Sequence, residues 1–547
     1  MDHYIEQKST AVIHEDVRSK TDVERPVVRE NLPDGYYPQT DEERRMSRAL
    51  NRKLDFILLP SLSLLYMFNG LDRGNIGNAK TQGGESPSRF FVLSASLSPI
   101  CLVFNQETNT YRMLLPGFAK DIGATSNDVN DAVSLFFITF VIFQPISAAA
   151  GRLLGPKYWM PFLMAGWGAL TLANAFIHGR GQLIAIRLLI GVFEAGFYPS
   201  VLFYLSTFYP RFDLATRIGI FYGQYAIAGA FSGAISYGVF KLKGNLHNWQ
   251  YLFIIEGSMT ILVALIALLV LPKQPGSAWF LSQEENKFAA ERMRIDNERY
   301  VLSEYGATHT EGFSQRLTMR DVIETAKDWK LWTVLICNIC ASLPSQAFGI
   351  FLPVVVEGMG FSSNQANLMS VPPFVCGAVG LYLTTFSSDH FMERGYHAIA
   401  GLVTSLVGLI VVITVTQNIS RYVALCILLA GSYITPSLTM AWLSGNTPAP
   451  GKRALVIGVN GFGNLAGVIG AQLFRSKYGP TYLVPLHATL GFIAFALLGY
   501  TAYRFTLRAV NHHRARKTST WSELDFENER VDETRLGDKK YTFVYSL

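Results

Sequence analysis

The chain has 547 residues; half are hydrophobic, 16% are charged, and the net charge is +6. Its mean hydropathy is +0.23, on the apolar side of what soluble domains show. Charged residues concentrate in the first 53 residues, in 272–330 and in the last 40, and nearly charge-free windows of bilayer-spanning length lie between them. This distribution excludes a soluble enzyme, a disulfide scaffold and a disordered chain. It predicts an all-α polytopic membrane protein.

Twelve apolar windows follow one another along the chain, six before a polar stretch and six after it. They lie near 54–76, 131–150, 161–178, 182–206, 217–240, 251–271, 331–355, 365–386, 397–416, 421–443, 453–474 and 482–504. Two sets of six with a polar connector are typical of two related helical bundles around a central path. The sequence therefore predicts twelve transmembrane helices in two six-helix bundles.

These windows divide the chain into five parts. The predicted parts are a cytoplasmic tail over 1–53, a first bundle over 54–271, a cytoplasmic connector over 272–330, a second bundle over 331–506 and a cytoplasmic tail over 507–547. An even number of spans puts both ends of the chain on one side. The loops on that side are richer in Lys and Arg, which favours the cytoplasm for both termini.

Residues 85–117 do not fit this pattern. They are apolar over only about 15 residues, which is short for a span. Two interpretations stay equal: a genuine outer loop, or a translated intron. Splice-like strings can encode Gly84-Glu85-Ser86 (donor), Thr108-Asn109 (branch point) and Pro116-Gly117 (acceptor). Sequencing the mature transcript across this region separates the two.

Ionisable residues inside membrane windows are candidates for function, because a charge in hydrocarbon is costly. Asp72 and Arg73 lie near the end of the first window, followed by Asn75. One interpretation is that they mark the end of the helix at the aqueous interface. The other is that Arg73 and Asn75 bind an anion, while Asp72 holds or releases it and takes part in proton coupling together with Glu194 and Arg187.

The fourth window carries Arg187, Gly191 and Glu194, which share one helix face by their spacing. Gly191 would allow a close approach, and a carboxylate near mid-span favours protonation. Glu194 is therefore a candidate proton carrier. The alternative is a structural Arg187–Glu194 pair that locks helices together. Glu256, in the sixth window, is interpreted as structural.

The second set of windows holds neutral polar residues. Gln346, Asn460 and Asn464 are candidates for substrate contact, and Asn460 and Asn464 are four residues apart. Their alternative role is hydrogen bonding between helices. We expect charge coupling in the first half and neutral contacts in the second.

No catalytic signature competes with transport. The sequence lacks Gly-x-x-x-x-Gly-Lys-Ser/Thr, His-Glu-x-x-His and Gly-x-Ser-x-Gly segments. Cys337 and Cys340 are close in sequence but lie inside an apolar window without a second pair, which disfavours a metal or redox site. We therefore expect no enzyme activity, no cofactor, no metal and no nucleic-acid partner.

The chain resembles the fungal anion:cation symporters of the major facilitator superfamily, in the allantoate, nicotinate and pantothenate permease group. The similarity covers about residues 45–510. It rests on the following segments: Arg52–Asp55, Leu71–Ala79, Gly155–Trp159, Arg187–Pro199, Tyr209–Arg211, Ala228–Gly233, Trp249–Gly257 and Gly445-Asn446.

The resemblance implies a major facilitator fold and proton-coupled uptake of a small organic anion. It implies that Arg73 binds the substrate carboxylate, that Glu194 couples proton movement, and that Arg187 is the usual basic residue of its span. The expected partners are the anion, a proton and the lipid bilayer, and we expect a monomer in the plasma membrane. An efflux transporter of the same fold and a non-transporting nutrient sensor are the alternatives.

Overall fold

The structure is a computed structural model of the chain. It describes residues 36, 38–81, 117–305, 319–448, 450–479, 481–531 and 537–547. Almost all of the stretch 85–117 lies outside the described residues. Within the described ranges, the regular elements are helices.

The described residues form twelve helical spans, and eleven of these are long and apolar enough to cross a membrane. In chain order the spans are Asp41–Lys80, Ser126–Leu154, Pro156–Ala173, Arg180–Glu194 with Phe197–Phe208, Arg211–Val239, Asn248–Val270, Trp329–Glu357, Ser363–Met369 with Val371–Phe391, Gly395–Thr414, Asn418–Ser432 with Ile434–Gly445, Pro450–Asn460 with Leu465–Leu473, and Leu483–Thr518. They are called spans 1 to 12 below.

Span 3 is the one span that is not among the eleven helices apolar enough to cross a membrane. Its 18 residues include Lys157 and Pro161. At 1.5 Å per residue it covers about 27 Å, close to the thickness of the hydrocarbon layer. It packs closely against span 6 and span 4, so it completes the first set of six.

The first and last helices are longer than their apolar windows. Span 1 begins at Asp41 with a capping box between Thr40 and Glu43, which satisfies the free N–H groups of its first turn. Its 40 residues reach about 60 Å, twice the hydrocarbon thickness. Span 12 likewise continues to Thr518. Both helices therefore extend beyond the bilayer on the side that carries Asp41 and Thr518, called the terminus side below.

Shorter helices lie between and after the spans. They are Gly117–Asp121 before span 2, Gln283–Tyr305 and Met319–Ala326 in the connector, and Glu523–Val531 after span 12. Arg292 of the connector is buried and donates to Ser47 and Asn51 of span 1 and to the carbonyl of Phe208. The connector is thus fixed to the terminus side of the first half.

The two halves, spans 1–6 and spans 7–12, are joined by polar contacts on the side opposite the termini. Asp131 of span 2 pairs with Arg475, which follows span 11, at 2.6 Å. Asn130 donates to the carbonyls of Ala471 and Phe474. Asn367 of span 8 donates to Thr81 at the end of span 1. These contacts close the molecule on that side.

Candidate functional site

A small central cavity of about 70 Å³ lies between the two halves, with room for a few water molecules. Spans 1, 2, 4 and 5 line one wall, and spans 7, 10 and 11 line the other. The lining residues are Tyr66, Arg73, Phe140, Gln144, Tyr198, Tyr222, Tyr225, Asn338, Ser342, Gln346, Pro436, Met440, Asn460, Gly461, Gly463 and Asn464.

Arg73 is the one cationic side chain among these lining residues. Its Nε donates to Oε2 of Glu194 at 2.7 Å, and the same oxygen accepts from Asn69 Nδ2 at 2.9 Å. Glu194 Oε1 is buried and accepts no hydrogen bond. One carboxylate oxygen of Glu194 thus pairs with one nitrogen of Arg73. The other guanidinium nitrogens make no hydrogen bond to a carboxylate, so they could still bind an anion.

Aromatic rings surround this guanidinium. The Arg73 Cζ atom lies 4.7 Å from the ring centre of Phe140, 5.6 Å from that of Phe136 and 5.9 Å from that of Tyr225. Ring faces attract a cation and exclude water from it. Any anion that reaches Arg73 therefore meets a positive charge between aromatic surfaces.

Asp72 points away from this cavity, into the first half. Its Oδ2 accepts from Trp167 Nε1 at 2.9 Å and from Thr260 Oγ1 at 3.1 Å, while Oδ1 is buried without a partner. Span 1 stays helical through both Asp72 and Arg73 to Lys80, and both side chains are buried. These two residues therefore do not mark the end of the helix.

Arg187 pairs with Asn75 rather than with Glu194. Its Nη2 donates to Asn75 Oδ1 at 3.0 Å, and Nε has no acceptor. Gly191 lies where a Cβ atom would be 2.5 Å from the carbonyl oxygen of Phe136, so it lets span 2 approach span 4. The shared face of Arg187 and Glu194 does not produce an ion pair, because Arg73 of span 1 holds the carboxylate instead.

The second half presents neutral groups to the cavity. Gln346 Nε2 donates to Asn464 Oδ1 at 3.0 Å, and Asn338 Nδ2 donates to Asn460 Oδ1 at 3.3 Å. Tyr225 of the first half reaches Gln346 Oε1 at 3.5 Å. Neutral hydrogen bonds of this kind can be replaced by hydrogen bonds with a ligand.

Four of the five residues expected to bind substrate line one cavity: Arg73, Gln346, Asn460 and Asn464. Asn75, the fifth, does not line the cavity, and its Oδ1 accepts a hydrogen bond from Arg187. Sequence reasoning missed the tyrosines, because apolar and aromatic residues are frequent in every span. It also missed Asn338 and Ser342, although Asn338, Ser342 and Gln346 recur every four residues and so share one helix face.

Comparison with known proteins agrees with this architecture. The Major Facilitator Superfamily sequence model matches residues 97–471. "MFS-type transporter efuF" of Hormonema carpetanum is 35% identical over 474 residues, which are 86% of this chain and 87% of that protein. The "High-affinity nicotinic acid transporter" of Saccharomyces cerevisiae is 28% identical and covers 97% of this chain and 90% of its own length.

Solved structures agree on the fold. The D-xylose–proton symporter aligns with a TM-score of 0.53 at 16% identity, over 81% of this chain and 96% of the symporter. The inward-facing, occupied bacterial homologue of the human lysosomal transporter Spinster aligns with a TM-score of 0.51 at 15% identity, over 82% of this chain and 96% of its own. At such identities the likeness concerns the fold alone.

The chain therefore belongs to the major facilitator superfamily. It is a multi-pass membrane transporter and not an enzyme. Within the superfamily it groups with fungal transporters that include a nicotinic acid transporter, which confirms the resemblance to the fungal anion:cation symporters.

Proposed function

We propose that this chain takes up a small organic anion together with protons by alternating access, the anion being a carboxylate such as nicotinate, pantothenate or allantoate. The observation that carries the proposal is the Arg73–Glu194 pair on the cavity wall. Arg73 is an anion-binding group occupied by an internal carboxylate, and Glu194 is a carboxylate that a proton can neutralise.

The pair supplies a coupling rule. While Glu194 is ionised, it occupies the guanidinium of Arg73 at 2.7 Å. When Glu194 takes up a proton, Arg73 loses its counter-ion in a buried place, and a substrate carboxylate compensates the charge. Proton and anion then enter together, because each alone leaves an unbalanced charge in the protein.

The surroundings support an anion with a flat or apolar body. Phe140 and four tyrosines line the cavity beside Arg73, and the second half adds neutral amides. A carboxylate fixed by Arg73 would place the rest of the molecule against those rings and amides. The similarity to a nicotinic acid transporter agrees with such a substrate.

Alternating access needs two sets of contacts that open in turn. In the present state the Asp131–Arg475 ion pair and the Asn130–Phe474 and Asn367–Thr81 hydrogen bonds join the halves on the side opposite the termini. We propose that the terminus side faces the cytoplasm and that the membrane is the plasma membrane. The present state is then the one from which the substrate is released into the cell.

The test is uptake of a panel of labelled carboxylates by cells that express the chain, at pH 5 and pH 7, with and without a protonophore. Uptake of one anion that is stimulated by acid and abolished by the protonophore is the expected result. A version that lacks residues 85–117 is measured in parallel, because this stretch is either a genuine loop or a translated intron. Export of the anion from loaded cells, without any uptake, would contradict the proposal in favour of efflux.

Glu194→Gln tests the coupling itself. The amide imitates the protonated carboxyl, so we expect exchange of anion across the membrane to persist while the part of the accumulation that is driven by the proton on Glu194 is lost. Glu285→Gln is the matched control, because Glu285 is a connector carboxylate that pairs with Lys53 away from the cavity. Accumulation at the wild-type level by Glu194→Gln would rule out the coupling role.

A further inference from the structure

The first half contains, besides Glu194, a buried carboxyl group that makes no hydrogen bond. Glu256 lies on span 6, its side chain is 1% exposed, and neither Oε1 nor Oε2 accepts a hydrogen bond. Glu194 differs, since it accepts from Arg73 and Asn69. An ionised carboxylate so deep in protein, without a donor, is strongly unfavourable, whereas a protonated carboxyl is neutral.

The charge balance of this region also calls for a proton. Among the described residues around Glu256, the buried acidic and basic groups are three carboxyls and two guanidiniums: Asp72, Glu194, Glu256, Arg73 and Arg187. If all were ionised, the region would carry one uncompensated negative charge. Lys80 does not correct this, because it lies seven residues beyond Arg73, roughly 10 Å along span 1, and donates to Asn130.

The hydrogen bonds favour one of the three carboxyls as the place of the proton. Glu194 is paired with Arg73, and Asp72 accepts from Trp167 and Thr260, donors that stabilise a negative charge. The neutral amide of Asn75 faces Glu256, but its Nδ2 makes no hydrogen bond and neither Glu256 oxygen accepts one. Glu256 is therefore the group at which a bound proton removes the largest penalty.

The neighbours of Glu256 also provide for the proton's departure. Span 1 brings Asp72 and the Asn75 amide, and span 4 brings Arg187, within electrostatic range of Glu256. Span 3, which packs most closely on span 6, brings Gly168 against Gly257, the residue next to Glu256. Arg187 Nε has no acceptor, so this guanidinium is available to compensate Glu256 once the proton has left.

We infer that Glu256 is a second proton-binding site, separate from the central cavity, that is loaded and emptied once in each transport cycle. The inference rests on the proposed function. One proton adds to a Glu256 oxygen on the uptake side, and the same O–H bond breaks on the release side. Together with the proton on Glu194, two protons accompany one monovalent anion, so each cycle carries one net positive charge inward.

The first test needs no transport. Infrared spectroscopy of the purified wild-type chain in lipid at pH 7 should show the carbonyl stretch of a protonated carboxylic acid. Glu256→Gln should remove this band and Glu194→Gln should keep it. If Glu256→Gln does not fold, Glu256→Asp keeps the acid and should shift the band. A band that Glu256→Gln leaves intact, or that Glu256→Asp leaves unshifted, overturns the inference.

The second test is stoichiometry. In proteoliposomes the wild type should give an anion-dependent inward current, and Glu256→Gln should transport without current. At one unit of pH difference and no voltage, accumulation should fall from about a hundredfold to about tenfold. Wild-type current in Glu256→Gln overturns the inference, whereas absence of anion uptake by the wild type overturns the proposed function and leaves the infrared result to decide on Glu256.

Discussion

The two halves of the molecule share one architecture but place their charges differently. In spans 1–6, Asp72, Arg73, Arg187, Glu194 and Glu256 are buried between the membrane faces. In spans 7–12 the corresponding depth holds neutral groups such as Asn338, Gln346 and Asn464. Under the proposed function, the first half responds to protons and the second half adapts its hydrogen bonds to a ligand.

The buried charges of the second half lie at its terminus side instead. Lys330 and Lys452 both contact Asp328 and Asp538, the Lys452–Asp328 distance being 2.7 Å and the Lys452–Asp538 distance 2.9 Å. Asp538 belongs to the end of the chain, which folds back onto spans 7 and 11. Ser546, near the terminus, accepts from Trp442 and Asn446 through its carbonyl.

Buried charged groups therefore serve two different purposes in the two halves. In the first half the carboxyls of Asp72, Glu194 and Glu256 each have at least one oxygen that accepts no hydrogen bond, so adding a proton there breaks few contacts. At the end of the second half two lysines meet two aspartates, which balances the charge completely. The first arrangement suits a switch and the second suits a fixed attachment.

The largest effect is expected from removal of the cavity's cation. Arg73→Ala should reduce anion uptake by about a hundredfold or more, because it removes the anion partner and leaves Glu194 buried without its cation. Uptake is measured at equal amounts of protein in the membrane. Arg73→Lys is the matched variant, and it should retain part of the activity, since it keeps the charge but not the planar fork. Full uptake activity of Arg73→Ala would contradict the role of Arg73 as the anion-binding group of the first half.

The next effect concerns the closed side, where the halves meet. A Cβ atom on Gly77 of span 1 would lie 1.8 Å from the carbonyl oxygen of Ile350 on span 7. Gly77→Ala should therefore separate the halves there and lower uptake by roughly tenfold, the effect of about 1–2 kcal/mol of overpacking. Gly491→Ala is the control, because a Cβ there meets nothing within 4 Å. Equal uptake by the two variants would show that this contact does not move.

The attachment of the tail should weaken without loss of the transport chemistry. Asp538→Asn leaves Lys330 and Lys452 with Asp328 alone, which should cost about 3 kcal/mol and expose the tail to protease roughly a hundredfold more. Limited proteolysis of the purified protein in lipid measures this. Glu523→Gln, an exposed carboxylate in the same tail, should leave cleavage unchanged.

The pH dependence of the tail contrasts with that of the first half. Burial alone would raise the pKa of Asp538, but Lys330 and Lys452 outweigh it and lower the pKa below the ordinary value of 3.8. A depressed pKa stabilises docking above the unfolded value, and this contribution is lost as the pH falls through the folded one. Protease cleavage of the tail should therefore be constant from pH 8 to pH 5 while uptake changes. Cleavage that rises between pH 7 and pH 5 would contradict this.

The smallest effect is expected in the second half's cavity wall. Gln346→Ala removes two neutral hydrogen bonds, one to Asn464 at 3.0 Å and a longer one from Tyr225 at 3.5 Å. It should raise the KM for the anion about three- to tenfold with little change in the proton requirement. The measurement is the KM at pH 5 and pH 7. A changed pH profile would mean that charge coupling is not confined to the first half.

The class of fold and the positions of the charges along the chain follow from the amino-acid sequence alone. Windows of about 20 apolar residues can be satisfied only by helices in a bilayer, and six plus six of them with a polar connector indicate two bundles. The same logic singled out Arg73 and Glu194, since charge in hydrocarbon is rare. It also placed the neutral amides of the second half.

Only the tertiary structure decided which of these groups meet. Helix periodicity aligned Arg187 with Glu194 on one face, but side-chain partners are set by neighbouring helices, and span 1 places Arg73 on Glu194. Periodicity likewise gave no sign that Glu256 lacks a donor or that Asp538 returns to Lys330 from far along the chain. Such contacts depend on how helices pack, because the energy of a buried charge depends on every element around it.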